Sequence, residues 1–374
     1  MQRTASRARA SRLAALAAIT ADLALALLWP MQAVLVAAAN AEPLLSIVPD
    51  PEPPPHGAVI EVVATGVCRS DWHAWVGHDP TVRFPHVPGH EFAGVVRVVG
   101  KDVTRFGGGD RVTAPFCCGC GSCGECRSGH QNLCDNEYQP GFDGWGSFAQ
   151  LVMVPWADVN LVRLPDSIDF EPAASLGCRF TTAYAGLLHH AKVRAGENVV
   201  VYGCGGVGLS AVMIAAAAGA RVVAVDIAAD RLALAAELGA AEVVDASGSE
   251  PVEAVRSVTG GGAHVSVDAL GSKVTSAQAL RSLAKRGRHV QLGLLLGDDS
   301  SPPTPLQNVI KHELVVYGGH GMQAWHYPAM FRFIASTRLP LARLIGERRP
   351  LKDAGTVLSS MARFAPLGVT LLKV

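Results

Sequence analysis

No surplus of either charge marks the 374-residue chain, since Lys and Arg total 32 and Asp and Glu also total 32. A strongly basic surface that would attract nucleic acid or an anionic membrane is therefore not expected, and a small-molecule partner is the better default. Aromatic residues are scarce, at 6 %, while Ala, Val, Leu and Gly abound, which fits an α/β enzyme with buried parallel strands and not a disordered or fibrous chain. No internal repeat is evident. The chain also lacks an unbroken membrane span. An apolar run at 13–29 follows Arg3, Arg7, Arg9 and Arg12, but Asp22 inside it would cost about 2.5 to 3.5 kcal/mol at a helix centre, and Pro30 closes it. The layout also suits a secretory or transit peptide. Cleavage near Ala39-Asn40-Ala41, however, would remove 31–37, which reads as the first strand of a folded enzyme. Residues 1–30 are therefore read as an extension, with Met31 as a natural start and a targeting signal as the alternative.

Length allows two domains with their own cores. From 31 to about 154 the text consists of short strand-like pieces broken by Pro and Gly, at 58–64, 91–99, 110–114 and 146–154, an all-β pattern. The run Asp50-Pro-Glu-Pro-Pro-Pro55 is a stiff surface connector whose prolines cannot donate to a ladder. After 195 the rhythm becomes strand, helix, strand. Strands are expected at 198–202, 221–225, 242–244, 264–269, 288–293 and 313–317, with helices at 208–218, 230–238, 251–258 and 274–285. Six strands with helices between them describe a doubly wound parallel sheet of the Rossmann type. Periodicity does not assign the tail beyond about 323.

The first of those strands runs into Gly203-Cys204-Gly205-Gly206-Val207-Gly208 and then an Ala-rich helix. A glycine motif in that context is a dinucleotide loop. Gly203 permits the tight turn, Gly205 lets the backbone approach a diphosphate, and Gly208 allows close packing of helix on strand. The helix start supplies free N–H groups to the phosphates. At the end of the next strand Asp226 can accept from ribose hydroxyls and would repel a 2'-phosphate. NAD is thereby favoured over NADP, with Arg231 downstream as the residue that keeps NADP open.

Nine cysteines carry the rest of the information. Cys120, Cys123, Cys126 and Cys134 place four thiolates on one Gly- and Ser-rich loop, a spacing that suits a closed, structural zinc site and a reducing compartment. Cys117 offers a competing register with 120, 123 and 126. A second set is dispersed: Cys68, His90 with Glu91, and Cys178. Singly these are weak, because a lone Cys is more often a small buried hydrophobe.

Together, in this order, the segments Gly66-Val-Cys-Arg-Ser-Asp-Trp-His73, Pro88-Gly-His-Glu91, the cysteine loop, Leu176-Gly-Cys-Arg-Phe180 and the glycine loop resemble the zinc-containing medium-chain alcohol dehydrogenase family. The likeness spans 31–322, and no family-like basic cofactor contact is found in the last fifty residues. The resemblance implies a mainly β, GroES-like catalytic domain formed by 31–179 and 323–374, with the NAD-binding Rossmann domain at 180–322 inserted. It implies a catalytic zinc held by Cys68, His90 and Cys178, with Glu91 close enough to assist ligand exchange, and Asp71 orienting the histidine. Two zinc ions per subunit follow.

The same resemblance implies a zinc-dependent alcohol dehydrogenase that moves a hydride between a primary or secondary alcohol, or its aldehyde or ketone, and NAD. Zinc lowers bound water to a pKa of about 7, and an alcohol should respond similarly. Ser70 would take the alcohol proton, and His73 would release it. Arg69 would pair with the cofactor diphosphate and Thr182 would touch the nicotinamide. Trp72, Trp75 and Phe116 are candidate pocket walls or core, and His320 a loop residue near the cofactor or a turn. A cytoplasmic homodimer or homotetramer is expected. The alternatives are a relative acting on polyols or another carbonyl class, and a catalytically silent NAD sensor.

Overall fold

The computed structural model describes residues 30–248, 250–362 and 366–374. The extension and its targeting alternative therefore lie outside the described residues, apart from Pro30. Strands β1 (Pro30–Leu35) and β2 (Leu44–Pro49) pair as an antiparallel hairpin. Long strand β3 (Ala58–Val67) follows the proline connector and leads into helix α1 (Arg69–Trp75). Strands β4 (Glu91–Val99), β5 (Arg111–Thr113), β6 (Leu151–Val154) and β7 (Val162–Arg163) complete the first half. Strand β3 pairs antiparallel with both β4 and β6. Its alternate residues Ala58, Ile60 and Val62 pack with Phe92, Val96 and Val152 in one cluster, the period-2 consequence of a sheet with a buried face. Burying each such branched side chain contributes about 1.5–3 kcal/mol.

Six strands make the second sheet: β8 (Asn198–Tyr202), β9 (Arg221–Asp226), β10 (Ala240–Asp245), β11 (Ala263–Asp268), β12 (Leu283–Gln291) and β13 (Val315–Gly318). Their order is β10-β9-β8-β11-β12-β13, all neighbours parallel. Helices α2 (Gly206–Ala217), α3 (Ala229–Glu237), α4 (Pro251–Val258) and α5 (Lys273–Arg281) make the crossovers. This is the expected doubly wound sheet. Buried on both faces, β8 and β9 read as continuous valine runs instead of alternating ones. Helix α2 is enclosed all round from Gly208 to Ala215, so it carries no amphipathic stripe. The chain order reverses between β8 and β11, and the crevice at the carboxyl ends of those strands is where such sheets bind ligands.

Several boundaries differ from expectation; the strand expected at 146–154 begins only at Leu151, and the one expected at 58–64 runs on to Val67. Strand β12 starts at Leu283, inside the helix expected to run to 285, because Lys285 and Arg286 are exposed and conceal the strand from a hydrophobicity reading, while Arg286 has φ 63 at a break in register. Glu313, expected in β13, instead ends a short helix (Leu306–His312) with φ 50. The tail, which periodicity left open, forms helix α6 (Tyr327–Thr337) and strands β14 (Ile345–Pro350) and β15 (Val369–Lys373). Strand β15 pairs antiparallel with β3, so the last residues complete the first sheet.

Candidate active site and metal centres

Antiparallel pairing sets Gly66 of β3 opposite Glu91 of β4, which brings Cys68, two residues beyond, beside His90. Cys178 lies on a π-helical turn (Leu176–Phe180) packed on the start of β4, a local widening that occurs often at functional sites. One ligand atom from each of Cys68, His90, Glu91 and Cys178 falls within 4.8 Å of all the others. Cys68, His90 and Glu91 are buried.

Asp71, wholly enclosed in α1, organises this cluster. Its Oδ1 accepts from His90 Nδ1 at 2.9 Å and from the Gly89 amide at 3.0 Å, and its Oδ2 accepts from the Cys68 amide at 2.9 Å. The carboxylate thus fixes both ligand-bearing segments and leaves the His90 proton on Nδ1. The other ring nitrogen, Nε2, is buried and has no hydrogen-bond partner. A buried, unpaired acceptor costs about 1–3 kcal/mol, and here it shares a small volume with two thiols. Cys68 is held well below its ordinary value, first by the Cys178 thiol donating to its sulfur and against the pull of burial. Two sulfurs, an imidazole nitrogen beside them and a nearby carboxylate are a zinc donor set, so the residues fit the metal that the sequence implies.

Glu91 is engaged elsewhere as well. Its Oε1 accepts from Arg179 Nε at 3.0 Å, and its Oε2 from Arg179 Nη2. Burial lifts its pKa to about 7, with the Arg179 charge opposing. Arg179 was not among the residues singled out in the sequence, where the only signal is a charge within the apolar run around Cys178; a buried arginine is almost always paired.

The tetracysteine loop converges likewise, with the sulfurs of Cys120, Cys123, Cys126 and Cys134 all within 4.8 Å of one another. Backbone amides point at them: Cys123 N to Cys120 Sγ at 3.4 Å, Cys126 N to Cys123 Sγ at 3.4 Å and Cys120 N to Cys134 Sγ at 3.2 Å. The four thiols differ in acidity. Cys120 drops to about 5 because hydrogen bonds from Ser122 and Cys123 outweigh burial, whereas burial pushes Cys126 up to about 12. A divalent cation at the centre would favour the thiolate at every position. Cys117 stands outside this group, pushed to about 12 by burial. The competing register is not the one the fold assembles.

At the end of β8, Gly203 has φ +89, and a Cβ at Gly208 would overlap the Gly203 carbonyl oxygen. Both positions need glycine. Gly205 caps α2, which begins at Gly206 and Val207, so the first-turn amides are left without intrahelical partners. Asp226 accepts from the Cys204 amide at 2.6 Å and from Ile227 and Ala228 at 2.8 and 3.0 Å, tying the tip of β9 to the glycine loop. Arg231 is in the first turn of α3, and its charge, after burial, lowers the pKa of Arg69. Thr182 is buried one turn after Cys178.

On α1, Ser70 Oγ lies 3.8 Å from Cys68 Sγ. His73, one turn further along, meets His78 Nδ1 to Nδ1 at 3.0 Å, and burial, with the Arg69 charge, lowers it to about 4. Arg69 donates to the Met361 carbonyl at 2.6 Å and sits 4.4 Å above the Trp72 ring. Among the pocket candidates, Trp75 donates to the Ala41 carbonyl and packs with Trp72 against the cluster around Met31 and Leu358. Phe116 instead faces His90, ring centroids 6.2 Å apart, as does Phe142 at 5.4 Å, a residue the sequence did not single out. His320 meets Phe116 edge to face with ring centroids 5.2 Å apart, and its carbonyl accepts from Asn132 of the tetracysteine loop at 2.8 Å.

Known proteins resemble the chain in sequence and fold. Residues 54–166 match the family described as alcohol dehydrogenase GroES-like domain, and 206–336 the family described as zinc-binding dehydrogenase. An alcohol dehydrogenase of Rhizobium meliloti (strain 1021) is 42 % identical over 258 residues, covering 68 % of this chain and 74 % of that one. Among solved structures, an NAD-dependent alcohol dehydrogenase superposes with a TM-score of 0.83 at 29 % identity, over 92 % of this chain and 100 % of its own. A protein assigned as a zinc-binding dehydrogenase from Sinorhizobium meliloti 1021, bound to NADP, gives 0.84 at 28 %, over 92 % and 100 %.

Proposed function

The chain belongs to the zinc-containing medium-chain alcohol dehydrogenase family, and from that membership we propose a zinc-dependent, NAD-linked oxidation of primary or secondary alcohols, or the reverse reduction of the aldehyde or ketone. The observation that carries this reading is the buried, unpartnered Nε2 of His90 beside the thiols of Cys68 and Cys178. Those three residues would hold the catalytic zinc, with Glu91 at their edge, and Cys120, Cys123, Cys126 and Cys134 would hold a structural one, two ions per subunit. Zinc would supply Lewis acidity that makes an alcohol hydroxyl easier to deprotonate, and the nicotinamide would supply the hydride acceptor.

The chain's own residues do the rest. Asp71 holds the imidazole so that Nε2 keeps its lone pair. Phe116 and Phe142 wall the space beside His90 with apolar rings and keep water from it. Ser70, whose Oγ lies 3.8 Å from Cys68 Sγ, would accept the alcohol proton, and His73 on the same helix, neutral above about pH 4, would pass it on toward His78. Arg69 and the loop of Gly203, Gly205, Gly206, Val207 and Gly208 would hold the diphosphate, with Thr182 on the nicotinamide side. Asp226 supports NAD over NADP by its charge at the tip of β9; Arg231 is the nearby cation that a 2'-phosphate could use.

We divide the chain into a catalytic unit of 31–179 with 323–374 and a cofactor unit of 180–322; the pairing of β15 with β3 supports this. A homodimer or homotetramer is supported by the sheet edge at β13, where Val315 and Val316 are exposed. The cytoplasm is supported by nine cysteines, none in a disulfide, and no helix among the described residues is long and apolar enough to cross a membrane. A panel of alcohols and aldehydes, assayed with NAD and NADP before and after zinc chelation, tests the proposal. Turnover should favour NAD, vanish on chelation and return with zinc. Turnover indifferent to chelation, or absent throughout, would overturn it.

A further inference from the structure

Arg179 lies between the ligand cluster around Cys178 and the dinucleotide loop. It follows Cys178 directly in sequence, and its side chain is 9 % exposed. Among the described residues both of its side-chain hydrogen bonds go to Glu91, through Nε and Nη2. A guanidinium has five donors in a planar fork, so Nη1 is uncommitted. That nitrogen is directed at the dinucleotide loop. A Cβ built on Gly206, the first residue of α2, would collide with Arg179 Cδ and lie 3.2 Å from Nη1. Gly66 gives the same clearance on the other side, where a Cβ would meet Glu91 Oε2 and come within 3.2 Å of Arg179 Nη2. Two glycines thus make room for one ion pair, which reaches from the metal ligands to the amides that face a diphosphate.

A buried ion pair is weak evidence for stability, because desolvation offsets most of the attraction. Its position calls for another account. A diphosphate is bound best by a planar bidentate donor close to a helix N-terminus, and Arg179 sets a guanidinium beside the first residue of α2. We propose that Arg179 binds the cofactor's diphosphate through Nη1 and, through its pair with Glu91, couples occupancy of the dinucleotide loop to the metal-ligand set. This rests on the dehydrogenase reading above. Glu91 and the diphosphate would share the charge of one guanidinium through different nitrogens, so dinucleotide binding weakens its hold on Glu91 beside the metal.

The test measures binding, not turnover, on zinc-loaded protein with three probes: NADH, ADP-ribose, which keeps the diphosphate, and adenosine, which has none. Arg179→Gln should weaken NADH and ADP-ribose by about 10- to 100-fold, the range of one charged hydrogen bond. Adenosine affinity and zinc content should match the parent, and Arg179→Lys should restore part of the loss. An equal loss for all three probes would mark Arg179 as merely structural, and no loss would overturn the proposal alone. Should the parent bind none of the probes, the dehydrogenase reading fails first. Glu91→Gln provides an independent arm if Arg179→Gln does not fold: releasing the guanidinium should tighten ADP-ribose by about fivefold or more, and unchanged affinity would contradict the coupling.

Discussion

Replacing Asp71 with Asn would separate the metal centre from the rest of the fold. The carboxylate is fully buried and accepts from three donors: the Cys68 amide, the Gly89 amide and His90 Nδ1. Asparagine keeps one acceptor oxygen and turns an NH2 group toward at least one of those donors. One buried donor then lacks a partner, at about 1–3 kcal/mol, and the remaining bonds lose their ionic share, about 1 kcal/mol more. The expected loss of stability is about 2–4 kcal/mol. The imidazole would also lose the restraint that keeps its proton on Nδ1, which lowers metal affinity by about 10- to 100-fold. Competition with a fluorescent zinc chelator reads the affinity, and urea denaturation of the metal-free protein reads the stability. One zinc should weaken while the tetracysteine zinc holds. Affinity within about twofold of the parent, with an unchanged denaturation midpoint, would refute the argument that Asp71 organises the ligands.

Other perturbations have equally definite outcomes. Gly208→Val forces a side chain into the Gly203 carbonyl oxygen, and NADH binding followed by fluorescence should fall by about tenfold or more, equivalent to about 1.4 kcal/mol. Cys126→Ser should remove one zinc, leave the other, and speed proteolysis within 120–134. Burial lowers both His73 and His326 from 6.5 to about 4. The unfolded chain therefore binds more protons between those values, and stability is full above pH 6.5 and falls as the pH drops toward 4. Denaturation at pH 7 and pH 5 should show this fall, and His73→Asn should flatten it; an unchanged slope would remove His73 as a contributor.

The sequence exposed what is local and hid what is assembled. Valine runs followed by glycine turns reveal β8 and β9 because both faces of those strands are buried. The tetracysteine set is legible because four ligands share one loop. Cys68, His90 and Cys178, by contrast, come from a strand end, a strand start and a π-helical turn, and only the family resemblance joined them in advance. Strand β15 becomes a strand through its partner β3, a pairing that no window of residues contains. Arg179 and Glu91 are 88 residues apart, and no periodicity anticipates their pairing. Phe142 faces His90 by the path of a loop, which sequence pattern does not encode.

The proposed chemistry depends on convergence of Cys68, His90 and Cys178 around one ion. Elemental analysis of the purified protein and of Cys178→Ser addresses that directly. Two zinc ions per chain are expected in the parent and one in the variant, with NADH still bound. One zinc or none in the parent, or two retained without Cys178, would contradict it.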